Sequence, residues 1–117
     1  MQIHETKQAE ALILVVQGQL DTVSAPQFEA RLLGTIGKGE QRICVDCGAL
    51  NYVNSAGLKA FLVAAKELEN TGGKMVLCGL SPAVKTVFDM IGFSQIMVIL
   101  PTREEAVQKL CGEAAPT

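Results

Sequence analysis

The chain has 117 residues, 49% of them hydrophobic and 19% charged, with a formal net charge of −2 and no tryptophan. Such a length makes one domain, with enough apolar side chain to bury a core. The charge balance leaves no basic footprint for nucleic acid and no polybasic membrane anchor. No apolar run approaches the roughly 20 residues of a membrane helix. The N-terminus has no charged segment leading into an apolar one, so no signal peptide is expected. A cytoplasmic protein of a reducing compartment is the expectation.

In chain order, Gln2 to Lys7 is short and polar, Ala9-Glu10 reads as a turn, and Leu12-Ile13-Leu14-Val15-Val16 is a continuous apolar, β-branched run. Such a run predicts a strand covered on both faces. Gly18-Gln19-Leu20-Asp21 closes it, and the first two segments suit an antiparallel hairpin. Ser24-Ala25-Pro26-Gln27 reads as a helix start with Ser24 as cap, Pro26 in the first turn and Gln27 as capping-box partner. Phe28, Leu32 and Ile36 follow at helical spacing until Gly34 and Gly37-Lys38-Gly39 end the helix.

Arg42 to Asp46 predicts the next strand, and Cys47 to Val53 a loop delivering the chain to Asn54-Ser55. Leu58, Phe61, Leu62, Ala65 and Leu68 then mark the buried stripe of an amphipathic helix. Ala56, Ala60 and Val63 form a small shoulder beside it, with Lys59, Lys66 and Glu67 outward. After the Thr71-Gly72-Gly73 turn, Lys74 to Cys78 is a strand. Ser81-Pro82 opens a helix burying Val84, Val87, Phe88 and Ile91, which Gly92 stops. Ile96 to Leu100 is the last strand, and the Thr102-Arg103-Glu104-Glu105 capping box starts a terminal helix through Leu110. Strands alternating with helices make this an α/β fold, a central mixed sheet of about five strands with about four α-helices packed against it.

Cys44 and Cys47 have C-x-x-C spacing, but a redox pair opens a helix, where the dipole lowers the thiol pKa. Cys44 falls in a strand, and no second cluster completes a zinc set. The four cysteines, including Cys78 and Cys111, read as buried thiols packing as small hydrophobes. The single histidine, His4, reads as a surface residue; a serine nucleophile needs a base beside it, so no catalytic residue, cofactor or metal is expected.

The stretch with chemistry in it is Asn51-Tyr52-Val53-Asn54-Ser55-Ala56-Gly57-Leu58. Asn and Ser are favoured where a helix begins, because their oxygens accept from its orphan N–H groups. Gly57 costs roughly 1 kcal/mol against alanine inside a helix, so close approach by another backbone or a ligand is a candidate reason for it. From the motif alone Ser55 is either an ordinary cap residue or an accessible hydroxyl at the positive end of a helix dipole, where a phosphate is tolerated. Asp21 is either a turn residue or part of the same surface.

Taken together, Gly18-Gln19-Leu20-Asp21, Val53 to Leu58, Gly72 to Cys78, Leu80 to Lys85 and Val87 to Gly92, in this order and spacing, resemble a STAS domain, most closely a bacterial anti-sigma factor antagonist. The resemblance runs over roughly residues 8 to 111, implying a STAS domain over 1–111, while the small, polar residues 112–117 read as a flexible tail. It implies that Ser55 is phosphorylated by a partner serine kinase that is also the anti-sigma factor. Asp21, Asn54, Ser55, Ala56, Gly57 and Lys59 are the implied partner-binding residues. Unphosphorylated antagonist would sequester the kinase and free the sigma factor, and a serine phosphatase of the metal-dependent class would reset it. The family usually carries Asp where this chain has Asn54, which removes a charge beside the hydroxyl while keeping a cap. The alternative is a constitutive STAS scaffold, or an accessory subunit of a signalling or lipid-transport assembly, without a phosphate cycle.

Overall fold

Strands β1 (Gln2–Gln8) and β2 (Ala11–Leu20) form the expected antiparallel hairpin, turning through Ala9, whose φ is 56°. Then β3 (Arg42–Val53), β4 (Lys74–Cys78) and β5 (Val98–Leu100) add in parallel, so five strands lie side by side in chain order. The crossovers carry α1 (Ala25–Gly37), α2 (Ser55–Asn70), and α3 (Pro82–Met90) with a four-residue turn, α4 (Phe93–Ile96); α5 (Arg103–Cys111) comes last. This computed structural model describes residues 1–112, so the expected tail from 113 onward lies outside the described residues.

Side-chain alternation assigns the two faces of the sheet. Leu12, Leu14 and Val16 of β2, Ile43 and Val45 of β3, and Met75 and Leu77 of β4 face the α1–α4 layer. Between them and the helices, Phe28, Phe61, Phe88 and Phe93 run edge to face, with centroids 4.9, 5.7 and 5.5 Å apart, joining four helical segments into one core. The alternate residues, Ala11, Ile13, Cys44, Val76 and Cys78, cluster with Ala106, Val107 and Leu110 of α5. Arg103 pins the start of α5 to the sheet: its Nε and Nη2 both lie 2.9 Å from Asp46 Oδ2. At the other end Arg42 Nε donates to the Leu110 carbonyl at 3.2 Å.

Several expectations are corrected. Residues 47–53 are strand, not loop. Relative to β2, β3 carries one extra residue between Asp46 and Ala49 and another between Leu50 and Tyr52, and these bulges hide the period-2 pattern. Gly34 lies within α1, which continues to Gly37. Ser24 makes no side-chain cap to α1, and Gln27 is no capping partner there. Along α2, Ala60 and Ala64 are buried, while Leu62 and Ala65 are half-buried, so the buried stripe is rotated from the expected one. Ile91 is 55% exposed, since α3 stops at Met90 and Gly92, at φ 77°, redirects the chain so that Phe93 packs on Phe88 instead. Ile96 belongs to α4, and β5 is correspondingly short.

Candidate functional site

The long central strand β3 delivers the chain to the C-terminal end of the parallel strands, where α2 begins. Val53 is buried, Asn54 half-buried, and Ser55, the first residue of α2, exposed. Asn54 performs the capping: its Oδ1 accepts from the amides of Ala56 (3.0 Å) and Gly57 (3.2 Å). Two orphan donors of the first turn are thereby satisfied. Because Asn54 supplies these bonds, Ser55 does not, and among the described residues no hydrogen bond engages its hydroxyl. No acidic side chain occupies the first turn of α2.

Gly57 explains how the site is assembled. A Cβ there would stand 2.7 Å from Val53 Cγ2, 2.9 Å from Leu20 Cβ and 3.1 Å from the Leu20 carbonyl. The residue therefore lies inward, and its missing side chain lets the end of β2 press against the start of α2. The Asn54 amide donates to the same Leu20 carbonyl at 3.0 Å. That contact brings the β2–α1 loop, with Asp21, to the N-terminus of α2. The close backbone approach proposed for Gly57 is thus made by this chain itself.

Asp21 builds its own loop. Its Oδ1 accepts from the amides of Val23 and Ser24, each at 3.0 Å, and its own amide donates to Ser24 Oγ at 3.0 Å. The Ser24 hydroxyl, the expected cap of α1, lies 2.8 Å from the Gln19 carbonyl and 3.1 Å from Asp21 Oδ1. These donors, the Ser24 amide first and its hydroxyl second, hold the Asp21 carboxyl below the usual carboxylate range. The loop thus favours the anionic form of Asp21.

Of the expected site residues, Asp21, Asn54, Ser55 and the half-buried Ala56 meet at this end of the sheet. Lys59 is exposed one turn further along α2, and Gly57 supports them from beneath. Three neighbours are not among the expected partner-binding residues. Thr22 Oγ1 accepts from Asn54 Nδ2 at 3.4 Å. Val23, in the same loop, is 79% exposed, and Tyr52, just ahead of the site on β3, is 48% exposed. Apolar and aromatic side chains presented at this level are what a protein partner buries. In the sequence, the adjacency of Thr22 and Val23 to Asp21 was the available signal. An open cleft runs beside α5, lined by Leu100, Glu104, Gln108 and Lys109, and Ser55 does not line it.

The C-x-x-C cysteines do not form a redox pair. A spacing of three along a strand sends them to opposite faces: Cys44 lies under α5 and Cys47 in the main core. Cys44 Sγ instead lies 3.6 Å from Cys78 Sγ. Burial pushes the Cys47 thiol up, and the contact with Cys44, followed by burial, pushes Cys78 up, so both stay protonated thiols. Among the described residues no three His, Cys, Asp or Glu side chains are grouped to hold a metal ion, and no helix is long and apolar enough to cross a membrane.

Comparison with known proteins gives this geometry a family. The STAS domain model matches residues 2–106. BtrV of Bordetella bronchiseptica, assigned as an anti-sigma factor antagonist, is 42% identical over 95 residues, covering 81% of this chain and 82% of that protein. The anti-sigma-B factor antagonist of Bacillus subtilis is 32% identical over 106 residues, covering 89% and 95%. The solved structure of the Bacillus cell fate determinant SpoIIAA in its phosphorylated form superposes with a TM-score of 0.70 at 25% identity, covering 92% of this chain and 98% of that one. The chain belongs to the STAS domain family and, within it, to the anti-sigma factor antagonists.

Proposed function

We propose that Ser55 is the phosphorylation switch of this antagonist. In the unphosphorylated state the protein binds an anti-sigma factor that is also its serine kinase, leaving the sigma factor free for transcription. In the phosphorylated state it releases that partner, and a serine phosphatase of the metal-dependent class restores it. The domain is the substrate of both enzymes and itself a binding protein of the cytoplasm. The observation that carries this reading is the exposed Ser55 hydroxyl, left unengaged by the Asn54 cap at the meeting point of β2, β3 and α2.

The electrostatics favour a switch acting at the interface. A phosphate adds about −1.5 to −2 charge, and at a helix N-terminus an anion gains roughly 0.3–1 kcal/mol, so the domain stays folded when modified. Like charges brought together across an interface cost several kcal/mol, enough for about a hundredfold change in affinity. The interface term is the larger, so the modified domain dissociates instead of unfolding.

The test is the intact mass of the protein purified from its own cells, beside a Ser55→Ala variant. A satellite of roughly 80 Da, one phosphate, in wild type and absent from the variant is the expected result. No satellite after incubation with cell lysate and ATP would overturn the proposal and leave a constitutive binding subunit.

A further inference from the structure

Asn54 is doing two things that a carboxylate could not do together. Its Oδ1 must be the atom facing the Ala56 and Gly57 amides, since only an acceptor serves two N–H donors. That fixes the orientation of the amide, and Nδ2 points to Thr22 Oγ1, 3.4 Å away. Thr22 therefore accepts, and its own hydroxyl proton stays available on an exposed side chain. With Asp at position 54, the threonine proton would turn toward the carboxylate, and a full negative charge would stand next to Ser55.

We infer that the Asn54–Thr22 pair tunes this site for the doubly ionised phosphate on Ser55: the cap is neutral and Thr22 keeps a donor free. This rests on Ser55 as the modified residue. Asp21 in the β2–α1 loop and Lys59 one turn along α2 bring charges of opposite sign to this region, and the first turn of α2 holds no acid. A carboxylate at 54 would tip that balance toward repulsion. Two unit charges about 6 Å apart in water interact by under about 1 kcal/mol, a few-fold change in proton affinity.

The experiment installs phosphoserine at position 55 genetically, so that no kinase is needed, and follows the second ionisation of the phosphate by 31P NMR. Wild type, Asn54→Asp and Thr22→Val are compared, with each unphosphorylated counterpart melted as a folding control. The expected result is a rise of roughly half a pH unit in Asn54→Asp, about threefold in proton affinity, and a smaller rise in Thr22→Val. A phosphate that titrates within 0.1 pH unit of wild type in folded Asn54→Asp overturns the inference. Failure of cell lysate to phosphorylate Ser55 would instead sink the proposed function and leave this titration as it is.

Discussion

Of the three helices that begin with a side-chain cap, α2 and α5 are finished differently. At the start of α5, Thr102 Oγ1 accepts from the Glu105 amide at 3.1 Å and lies 3.2 Å from the Glu105 carboxylate, and Glu104 and Glu105 place negative charge in the first turn. Cap, charge and dipole all agree there. At the start of α2 the cap is neutral Asn54, the first turn holds no acid, and the next residues are an exposed serine, a small alanine and a buried glycine. The start of α5 is built to hold a helix down. The start of α2 gives up charge and side chain, and gains an open hydroxyl on a surface packed firmly from beneath.

The comparison breaks most sharply on a charge placed at the start of α2. Ser55→Glu should weaken binding to the anti-sigma partner by roughly a hundredfold, the effect of like charge at an interface, while thermal melting stays close to wild type and Ser55→Ala still binds. Equal pull-down of the partner by wild type and Ser55→Glu would show that the α2 start is not the interface.

Gly57→Ala tests the packing beneath the site. Alanine gains roughly 1 kcal/mol of helix propensity, but the new Cβ meets Leu20 Cβ and carbonyl at 2.9 and 3.1 Å, atoms that cannot swing away. Overpacking of this kind costs about 1–3 kcal/mol, so the steric term wins. The expected outcome is a loss of up to about 2 kcal/mol of unfolding free energy, read as a lower urea midpoint, together with weaker partner binding. A stabilised variant would mean that β2 and α2 yield easily.

Thr102→Ala should cost about 1 kcal/mol, the value of a lost N-cap, and leave partner affinity unchanged. Arg103 on Asp46 and the burial of Ala106 and Leu110 keep α5 docked. Loss of partner binding in this variant would erase the distinction between the two helix starts.

What the sequence made legible follows the same division. Apolar runs with regular periods, as in Leu12–Val16 and Phe28–Ile36, gave strands and helices in their observed order, and the caps Asn54, Ser81 and Thr102 all accept backbone amides as expected. Residues 47–53 were not legible as strand, because two bulges shift the alternation on which such reading depends. The burial of Ile91 was misread because helical periodicity does not register the turn at Gly92. At the site, Ser55 and Asp21 were visible through a family resemblance. The inward role of Gly57 and the Thr22 contact depend on where the β2–α1 loop lands, and no local pattern carries that information.

The smallest expected effect concerns Asp21, and its sign can be worked out. Ser24 and Val23 donors lower the folded-state pKa, so the carboxylate form is favoured by folding. Its contribution is complete above the ordinary carboxyl value of about 3.9 and is lost as pH falls through the lowered folded value. Asp21→Asn keeps an acceptor oxygen and removes the charge. The variant should therefore be slightly less stable than wild type at neutral pH, with the gap closing as the solution is acidified below about pH 4. Urea midpoints at pH 7, 5 and 3 measure this. A gap that stays constant over that range would mean that Asp21 shapes its loop through geometry alone, and that the β2–α1 loop adds no folded-state charge preference beside Ser55.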